Sequence, residues 1–375
     1  MTVIDFSAQL PGPLATSVLA DLGATVIKVE PIGGEFGRHI PGGMFDRVNR
    51  GKLSLAINLK KPESRGIVRA LASRTDVAIE SFRPGVAGRL GIDYETLSTI
   101  NKRLIYCSLS GYGQSGPWRD KPGHDLAYLA ASGAMELPGH WASPPRRSGL
   151  PVGDIVGSST ATSAILAALF ERECTGTGRH IDLSLYEAAV YATATRTWFD
   201  SNERSRHFLF PTNDVFDTAD GRQIAITIVE EHFWSKFVAV VAAMEPAFAE
   251  ERFGTEAMRR ANADTLFGML EGLFRRYTVA EWIDAFEGTD VPIEICATPL
   301  EAGANPQLKA RNLMLEPGAN RKFCPFPALV DGDKRAGCTY VEPPSVGQHT
   351  RDVLGDLGYG DDAIDALRVA GVIDE

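Results

Sequence analysis

The chain contains 375 residues, of which 44% are hydrophobic and 23% carry a charged side chain, and its formal net charge is −10. Such a composition is typical of a globular protein, and the length favours two domains over one. The negative net charge argues against nucleic acid or an anionic membrane as a partner, although a local basic patch could still bind a phosphorylated ligand.

The first 120 residues alternate short apolar strands with helices. A strand at residues 2–7, a helix at 14–22 and a strand at 24–30 have the spacing of a right-handed parallel crossover. The alternation continues through further strand and helix patterns to a strand at 104–109. The sequence therefore predicts an α/β fold with a doubly wound parallel sheet in this part of the chain.

The glycine-rich segment after that strand, residues 111–116, matches the pattern G-x-G-x-x-G. In a dinucleotide-binding domain a helix opens directly on these glycines, so that its N-terminus meets the pyrophosphate. Here the loop sequence PWRDKPG follows, and no acidic residue ends a next strand at the expected distance. We therefore interpret the segment as a glycine loop and not as a dinucleotide-binding fingerprint.

Two helix starts carry side chains that can transfer protons. His124 and Asp125 precede an apolar run at helical spacing, and Asp154 begins a second, longer helix that is apolar enough to be buried. Asp125 is expected to cap its own helix, because an aspartate ahead of such a run accepts hydrogen bonds from the free N–H groups of the first turn. If the two N-termini face each other across a cleft, they would hold an anion between acid/base groups. Capped helices with an incidental histidine explain the same residues, so the motifs alone leave both interpretations open.

The second half of the chain has a different pattern. A helix from residue 186 to about residue 202 is expected to lead into a second domain, which begins with a hairpin over residues 213–228. Amphipathic helices are predicted after the hairpin, at residues 233–243, 255–276 and 279–287.

The expected domain organisation follows from these patterns. We predict a large α/β domain over residues 1–200, a smaller α+β domain over residues 201–312 and a C-terminal segment over residues 313–375. The C-terminal segment contains a possible hairpin at residues 331–342 and then two helical patterns.

The cysteines and the absence of a signal pattern indicate the compartment. The five cysteines are odd in number, scattered and never spaced as C-x-x-C, which argues against a disulfide scaffold and against a metal site. The N-terminus lacks a signal-peptide pattern, and no stretch of membrane-spanning length is free of polar residues. We expect a cytoplasmic protein.

Motifs along essentially the whole chain resemble the class III CoA-transferase superfamily (the CaiB/BaiF-like proteins), which includes the α-methylacyl-CoA racemases. The resemblance implies a Rossmann-like large domain, a small domain, a C-terminal segment that returns to the large domain, and two chains that interlock as a homodimer. The matching stretches include ADLGATVIKVEP, RGKLSLAINLKKPE, ESFRPGVAGRLGIDYETL, SLSGYGQSGPW, PGHDLAYLAASG, GLPVGDIVG, TGTGRHIDLSLYEA, VPIEICATPLEAGANPQLKARNLM and PPSVGQHTRDVLGDLGY.

The resemblance also assigns roles to the residues at the two helix starts. His124 and Asp154 match the two bases of the racemases, and Glu230, with Glu231 as the second choice, matches the glutamate that supports the histidine. Asp125 is assigned the position of the aspartate that forms acyl anhydrides in the transferases. Removing the proton next to a thioester requires a stabilised enolate oxygen, and inverting that centre requires one acid/base group on each face. A histidine and an aspartate can do this without a bound cofactor.

We therefore expect an acyl-CoA enzyme, and more specifically a 2-methylacyl-CoA racemase. The alternative is a CoA-transferase that works through Asp125, and a third hypothesis is a non-catalytic CoA-binding subunit. The glycine-rich flap of some transferases is missing, which favours the racemase. The retained Asp125 and the sequence GSS at residues 157–159, in place of a glycine run, count against it.

Coenzyme A is expected as part of the substrate. Its phosphates need cations and its adenine needs an apolar slot, and ligands of open α/β sheets bind beyond the carboxyl ends of the strands. The residues predicted to contact CoA or the acyl group are Arg38, Ala56, Leu59, Lys60, Arg83, Arg89, Gly123 and Tyr128.

Overall fold

The computed structural model describes residues 1–141, 146–200, 209–318, 321–331, 334–335 and 340–375. The chain forms two compact units. The first comprises Met1–Ala134, Ser148–Thr195 and Pro306–Glu375, and the second comprises Met135–Arg147 and Arg196–Asn305. The segment Met135–Arg147, which the sequence placed in the large domain, therefore groups with the second unit.

The strands are short, and most of those in the first unit are almost entirely buried. Their bounds are β1 Thr2–Asp5, β2 Thr25–Glu30, β3 Leu53–Ile57, β4 Val77–Glu80, β5 Ile105–Ser110, β6 His180–Ser184, β7 Asn213–Asp217, β8 Gln223–Thr227, β9 Ile293–Ile295, β10 Leu315–Gly318, β11 Arg321–Phe323, β12 Leu329–Val330, β13 Lys334–Arg335 and β14 Ile373–Asp374.

The helices range from single turns to one of 24 residues. Their bounds are α1 Pro11–Asp21, α2 Met44–Asn49, α3 Ser64–Ser73, α4 Val86–Leu90, α5 Tyr94–Ile100, α6 Asp125–Ala131, α7 Val152–Thr175, α8 Leu185–Thr193, α9 Glu231–Val241, α10 Glu256–Ala261, α11 Ala263–Phe274, α12 Val279–Phe286, α13 Pro299–Gly303, α14 Pro306–Ala310, α15 Thr350–Asp356 and α16 Asp361–Val369.

The first unit is organised around one seven-stranded sheet with the order β14-β3-β2-β1-β4-β5-β6. Neighbouring strands from β3 to β6 are parallel, and β14 pairs antiparallel with β3 at the edge. The strand order reverses between β1 and β4, so the loops after these two strands leave in opposite directions. This topological switch point is where open α/β sheets bind ligands. The predicted large parallel sheet is confirmed.

Helix α7 is held to α1 by small polar side chains. The hydroxyl of Ser158 lies 2.7 Å from the carbonyl oxygens of both Pro11 and Asp154, and the hydroxyl of Thr162 donates to Ser158 O at 3.0 Å and lies 3.4 Å from Ala15 O. By length and composition α7 could also cross a membrane, but core helices of soluble proteins pass the same test. Here it packs against α1 and α8.

The second unit contains an antiparallel sheet with the order β7-β8-β9. The predicted hairpin is confirmed, because β7 and β8 pair from Asn213 opposite Thr227 to Asp217 opposite Gln223. Aromatic residues fill the core beneath the sheet. Phe237 and Phe286, for example, stack with ring centroids 5.7 Å apart.

Two predicted helices were too long. The helix predicted over residues 255–276 is interrupted at Asn262, whose side-chain amide donates to the carbonyls of Arg252 and Met258 instead of continuing one regular helix. The helix predicted from residue 186 ends at Thr193, in a stretch rich in β-branched threonines that are weak helix formers. Its predicted end at about residue 202 lies outside the described residues, as does part of the hairpin predicted at 331–342.

Candidate functional site

A cavity of about 910 Å³ opens at the switch point of the large sheet. Its walls are the loops after β1, β4 and β5, the start of α6 and the first turn of α7, all in the first unit. We call it the switch-point cavity. The residues that line it are Ala8, Gln9, Pro11, Ser81, Phe82, Arg83, Pro84, Leu109, Ser110, Gly111, Arg119, Lys121, Pro122, Gly123, His124, Leu126, Ala127, Tyr128, Ala130, Asp154 and Leu185.

His124 stands at the N-cap position of α6, with an extended backbone at φ −133° and ψ 173°. Its carbonyl accepts hydrogen bonds from the N–H groups of Ala127 and Tyr128, and its imidazole makes no capping hydrogen bond. The side chain is exposed and lines the switch-point cavity. The imidazole is therefore accessible to a ligand in the cavity.

Asp125 does not cap its own helix, so this prediction was wrong. It is the first residue of α6, and its Oδ1 accepts hydrogen bonds from the N–H groups of Gly153 at 2.8 Å and Asp154 at 3.2 Å. Its carboxylate thus satisfies free donors at the start of α7, where a negative charge is also stabilised by the helix dipole. A Cβ on Gly153 would lie 3.1 Å from this oxygen, so the close approach depends on glycine.

Asp154 is the third residue of α7, half-buried, and lines the cavity. Burial raises the pKa of its carboxyl to about 7, and the nearby negative charge of Asp125 adds to the effect. A carboxyl group with a pKa near neutrality can both accept and donate a proton under physiological conditions. The sequence predicted Asp154 as a site residue, and the structure brings it to the same cavity as His124.

Gly123 and Tyr128 were also predicted as site residues, and both line the cavity. The Tyr128 hydroxyl donates to the carbonyl of Gly123 at 2.6 Å. A Cβ on Gly123 would lie 2.6 Å from the Tyr128 ring, which is too close for any other residue. Burial raises the pKa of Tyr128, so this hydroxyl stays protonated and fixes the loop that carries His124.

Basic side chains lie at the cavity and beside it. Arg83, a predicted CoA contact, lines the cavity, and Arg119 and Lys121 line it although the sequence analysis did not single them out. The Lys121 ammonium lies 3.9 Å from the ring centroid of Trp118, a cation–π contact that holds it in place. Arg89 lies outside the lining, but its guanidinium and that of Arg119 flank the same glycine, Gly85. The positive charge in the PWRDKPG loop was the signal that could have identified Arg119 and Lys121.

Arg38 lies outside the cavity lining and is engaged elsewhere. Its guanidinium forms a bidentate pair with Glu30, at 2.6 and 2.7 Å, and donates to the carbonyl of Pro344 at 2.9 Å. Burial would raise the pKa of Glu30, but the hydrogen bonds and charge of Arg38 outweigh it and hold that pKa below its usual value. In this structure Arg38 therefore stabilises the region after β2.

The three remaining CoA-binding candidates follow or belong to β3 and lie outside the cavity lining. Ala56 is fully buried, and its N–H donates to the Thr350 hydroxyl at 3.2 Å. Leu59 is half-buried against the apolar core, and Lys60 is exposed. Contact of these residues with CoA stays a prediction.

Glu230 belongs to the second unit, where it is the exposed N-cap residue of α9. The second choice, Glu231, is committed to other partners. Its carboxylate accepts from the N–H of Glu256 at 2.6 Å and pairs with the guanidinium of Arg259 at 2.8 Å. Glu230 is thus the better placed of the two to meet a ligand, and its support of His124 stays a prediction.

The predicted glycine loop is confirmed. Residues 111–124, all of which the structure describes, contain turns and bends but neither helix nor strand. The first helix after Gly116 is α6, which begins at Asp125. The glycines therefore do not open a helix of the kind that binds a dinucleotide pyrophosphate.

Two relatives of this chain are named for different reaction classes. The acetyl-CoA:oxalate CoA-transferase of Acetobacter aceti is 36% identical over 85% of this chain and 85% of its own length. The α-methylacyl-CoA racemase of Homo sapiens is 30% identical over 100% of this chain and 97% of its own length. Both classes are enzymes that act on acyl-CoA thioesters.

Solved structures and a family profile agree with these relatives. A CaiB/BaiF family protein from Brucella suis superposes with a TM-score of 0.83 at 28% identity, over 95% of this chain and 98% of that one. The profile of CoA-transferase family III matches residues 1–350. The chain belongs to CoA-transferase family III.

Proposed function

We propose that this protein is an acyl-CoA racemase that inverts the C2 centre of a 2-methylacyl-CoA. The observation that carries the proposal is that His124 and Asp154 line one cavity, with the pKa of Asp154 raised to about 7. The two groups come from different helix starts, so they can approach a bound carbon from different sides. A racemase needs such a pair.

The proposed reaction is a proton transfer on each face of the α-carbon. One group, for example the Asp154 carboxylate, removes the proton, and the electron pair of the C–H bond moves onto the thioester oxygen to give an enolate. The other group, then the His124 imidazolium, delivers a proton to the opposite face as the carbonyl re-forms. The reverse direction exchanges the two roles. Charge and protons balance without a cofactor, since each turnover moves one proton from His124 to Asp154, and proton exchange of both groups with water restores the starting state.

The enolate oxygen needs hydrogen-bond donors. The backbone N–H of Asp125 belongs to the first turn of α6, where N–H groups have no acceptor within the helix. Donors of this kind stabilise a developing oxyanion most strongly when water is excluded. We infer that this N–H supports the thioester oxygen beside His124.

We propose that Arg83, Arg119 and Lys121 bind the phosphates of CoA. All three line the cavity, and the protein as a whole is acidic, so this local positive charge is distinctive. Arg89, beside Arg119, extends the same basic patch outside the cavity lining. The acyl end of the substrate would then lie toward Asp154 and Leu185, on the α7 and α8 side.

A CoA-transferase is the second candidate, because relatives with this activity cover most of the chain. In a transferase an aspartate attacks the acyl carbon, the CoA thiolate leaves, and an acyl anhydride forms on the enzyme. The geometry favours Asp154 over Asp125 as that nucleophile. Asp154 lines the cavity, whereas Asp125 lies outside its lining and directs Oδ1 at the N–H groups of α7.

A non-catalytic CoA-binding subunit is the least supported alternative. Such a chain has no reason to keep two proton-transfer groups at the switch-point cavity. His124 and Asp154 both occupy it, and the pKa of Asp154 suits proton transfer at neutral pH. These features support a catalytic chain.

We further propose that the protein is a cytoplasmic homodimer whose chains interlock. Large apolar side chains on α7 and α8 support association, since Phe170 is 78% and Tyr191 73% exposed in the single chain. Light scattering at dilute concentration should give twice the mass of one chain. Phe170→Glu should weaken the dimer, whereas Val369→Glu, at an equally exposed position on α16, should not. A stable, active monomer would refute the proposal.

Incubation with a single enantiomer of a 2-methylacyl-CoA in deuterated water tests the reaction class. We expect deuterium at C2 and loss of optical purity without any acceptor acid. A transferase would instead leave C2 unlabelled, exchange CoA between two free acids and form a covalent adduct detectable by intact mass. That second result would replace the racemase proposal with the transferase.

A further inference from the structure

Gln9 lies in the loop between β1 and α1 and lines the switch-point cavity. Its backbone has a φ of 65°, in the left-handed region that residues with a side chain rarely adopt. Four non-glycine residues among those the structure describes have positive φ, and Gln9 is the one of them at the cavity. Glycine would adopt this conformation freely, so the cost of keeping a side chain here calls for a functional explanation.

A buried ion pair holds Gln9 in this conformation. The N–H of Gln9 donates to Oε2 of Glu35 at 2.8 Å, and Glu35 is only 4% exposed. The ammonium of Lys28, itself fully buried, lies 3.4 Å from the other carboxylate oxygen of Glu35 and donates to the carbonyl of Ser7 at the start of the same loop. The loop is therefore fixed at both Ser7 and Gln9 by charged groups inside the unit.

The same loop is tied to the helix that carries Asp154. The Ser158 hydroxyl lies 2.7 Å from the carbonyl of Pro11 and 2.7 Å from the carbonyl of Asp154. Gln9 and Asp154 thus line the cavity from two segments that the Ser158 hydroxyl connects. The N–H of Ala8, the residue before Gln9, also donates to the Ser81 hydroxyl in the loop after β4 at 3.0 Å, so the Gln9 loop contacts both α7 and the loop that carries Arg83.

We propose that the Gln9 carboxamide contacts the acyl thioester and donates a hydrogen bond to its carbonyl oxygen as negative charge develops there. The inference rests on the proposed acyl-CoA chemistry and adds a substrate-contacting residue that neither helix start supplies. An amide N–H₂ group is a donor of the right kind, and it carries no charge that would disturb the protonation of His124 and Asp154. The same oxygen develops charge in a transferase, so the role of Gln9 does not depend on the reaction class.

The test compares Gln9→Gly with Asn312→Gly. Asn312 also has a left-handed backbone, with a φ of 50°, but lies outside the cavity lining, so it reports the effect of relieving strain alone. Glycine suits both backbones, and both variants should unfold at or above the melting temperature of the wild-type protein. Gln9→Gly should lower kcat for C2 exchange about 10- to 100-fold, because a hydrogen bond to a charged oxygen is lost, whereas Asn312→Gly should not change it.

Titration calorimetry with free CoA and with a 2-methylacyl-CoA distinguishes a failure of the role of Gln9 from a failure of the proposed function. Gln9→Gly should bind free CoA as tightly as the wild-type protein does. Unchanged kcat in Gln9→Gly, or an equal loss in Asn312→Gly, would overturn the role of Gln9 while leaving the proposed function intact. If the wild-type protein binds neither CoA nor the thioester, the proposed function fails, and the role of Gln9 fails with it.

Discussion

Replacing Asp125 by asparagine tests how the two helix starts are coupled. The amide oxygen can still accept the N–H groups of Gly153 and Asp154, which Oδ1 accepts at 2.8 and 3.2 Å, but the negative charge is removed. The charge of Asp125 is one of the two causes that raise the pKa of Asp154, and burial is the larger. Asp125→Asn should therefore lower the pKa of Asp154 without unfolding the site.

The expected decrease in the pKa of Asp154 follows from how far that pKa is raised in the wild-type protein. The pKa of Asp154 rises from 3.8 to about 7, and the smaller of two causes supplies less than half of that rise, so Asp125→Asn should lower the pKa by roughly one unit, or about 1.4 kcal/mol. The pKa of Asp154 is higher in the folded protein than in the unfolded chain, so the folded state loses stability as pH rises from about 4 to 7. Because Asp125→Asn lowers that pKa, the variant should recover about 1 kcal/mol of the free energy of unfolding above pH 7. It loses a similar amount, about 0.3–1 kcal/mol, of charge–dipole stabilisation at α7. Net stability should stay within about 1 kcal/mol of the wild-type value.

The assay is the pH dependence of C2 inversion, measured separately from each of the two enantiomers. Asp154 must be ionised to remove a proton from one enantiomer and protonated to deliver one to the other. Its pKa therefore appears on the acid limb for one enantiomer and on the alkaline limb for the other. Both limbs should move to lower pH by about one unit in Asp125→Asn. The control Asp125→Ala removes the charge and also the oxygen that accepts from the N–H groups of Gly153 and Asp154. In addition to the same pKa change, it should lose about 1 kcal/mol of the free energy of unfolding.

Two results would contradict this coupling between Asp125 and Asp154. A folded Asp125→Asn protein that has lost all activity would mean that the Asp125 carboxylate itself reacts, as the transferase hypothesis assumed. An active variant whose limbs do not move would mean that Asp125 does not influence the protonation of Asp154.

Three further predictions concern other groups. His124→Gln should abolish inversion while leaving the melting temperature and CoA affinity unchanged, and inversion at the wild-type rate would remove His124 from the mechanism. Arg119→Ala and Lys121→Ala should each raise KM for acyl-CoA several-fold and weaken its dependence on salt, with kcat retained; unchanged KM in both would exclude these cations from the CoA site. Burial raises the pKa of Glu80 to about 7, so the folded state holds a proton there and loses stability as pH rises from about 4.5 through 7. In urea unfolding, Glu80→Gln should be about 3 kcal/mol more stable than the wild-type protein at pH 8 and equal to it at pH 4, whereas equal stability at both would contradict the raised pKa.

The large sheet could be predicted because its buried strands have a recognisable apolar sequence. Strands such as β4, with the sequence VAIE, are buried on both faces and read as short continuous apolar runs between helical patterns. The break at Asn262 could not be predicted in the same way. The apolar spacing continues across it, and what ends the helix is a side-chain hydrogen bond to Arg252, ten residues away.

The candidate site residues could likewise be predicted only where the signal lies in the local sequence. His124 and Asp154 were found because each begins a helix, a feature that local sequence encodes. The partner of Asp125 lies 28 residues along the chain, so the local capping rule assigned its carboxylate to the wrong helix. Arg38 was predicted at the ligand because it follows a strand end, where open α/β sheets bind ligands, whereas folding brings it to the buried Glu30. Gln9 carried no sequence signal, since its importance depends on a backbone angle.

The assignment as a racemase depends on His124 and Asp154 acting on opposite faces of one carbon. It is tested most directly by following C2 deuterium exchange of each pure enantiomer in Asp154→Asn and in His124→Gln. Each variant should still exchange the proton of one enantiomer, a different one in each case, and neither should interconvert the two. Exchange of both enantiomers by either variant, or interconversion by either variant, would contradict it.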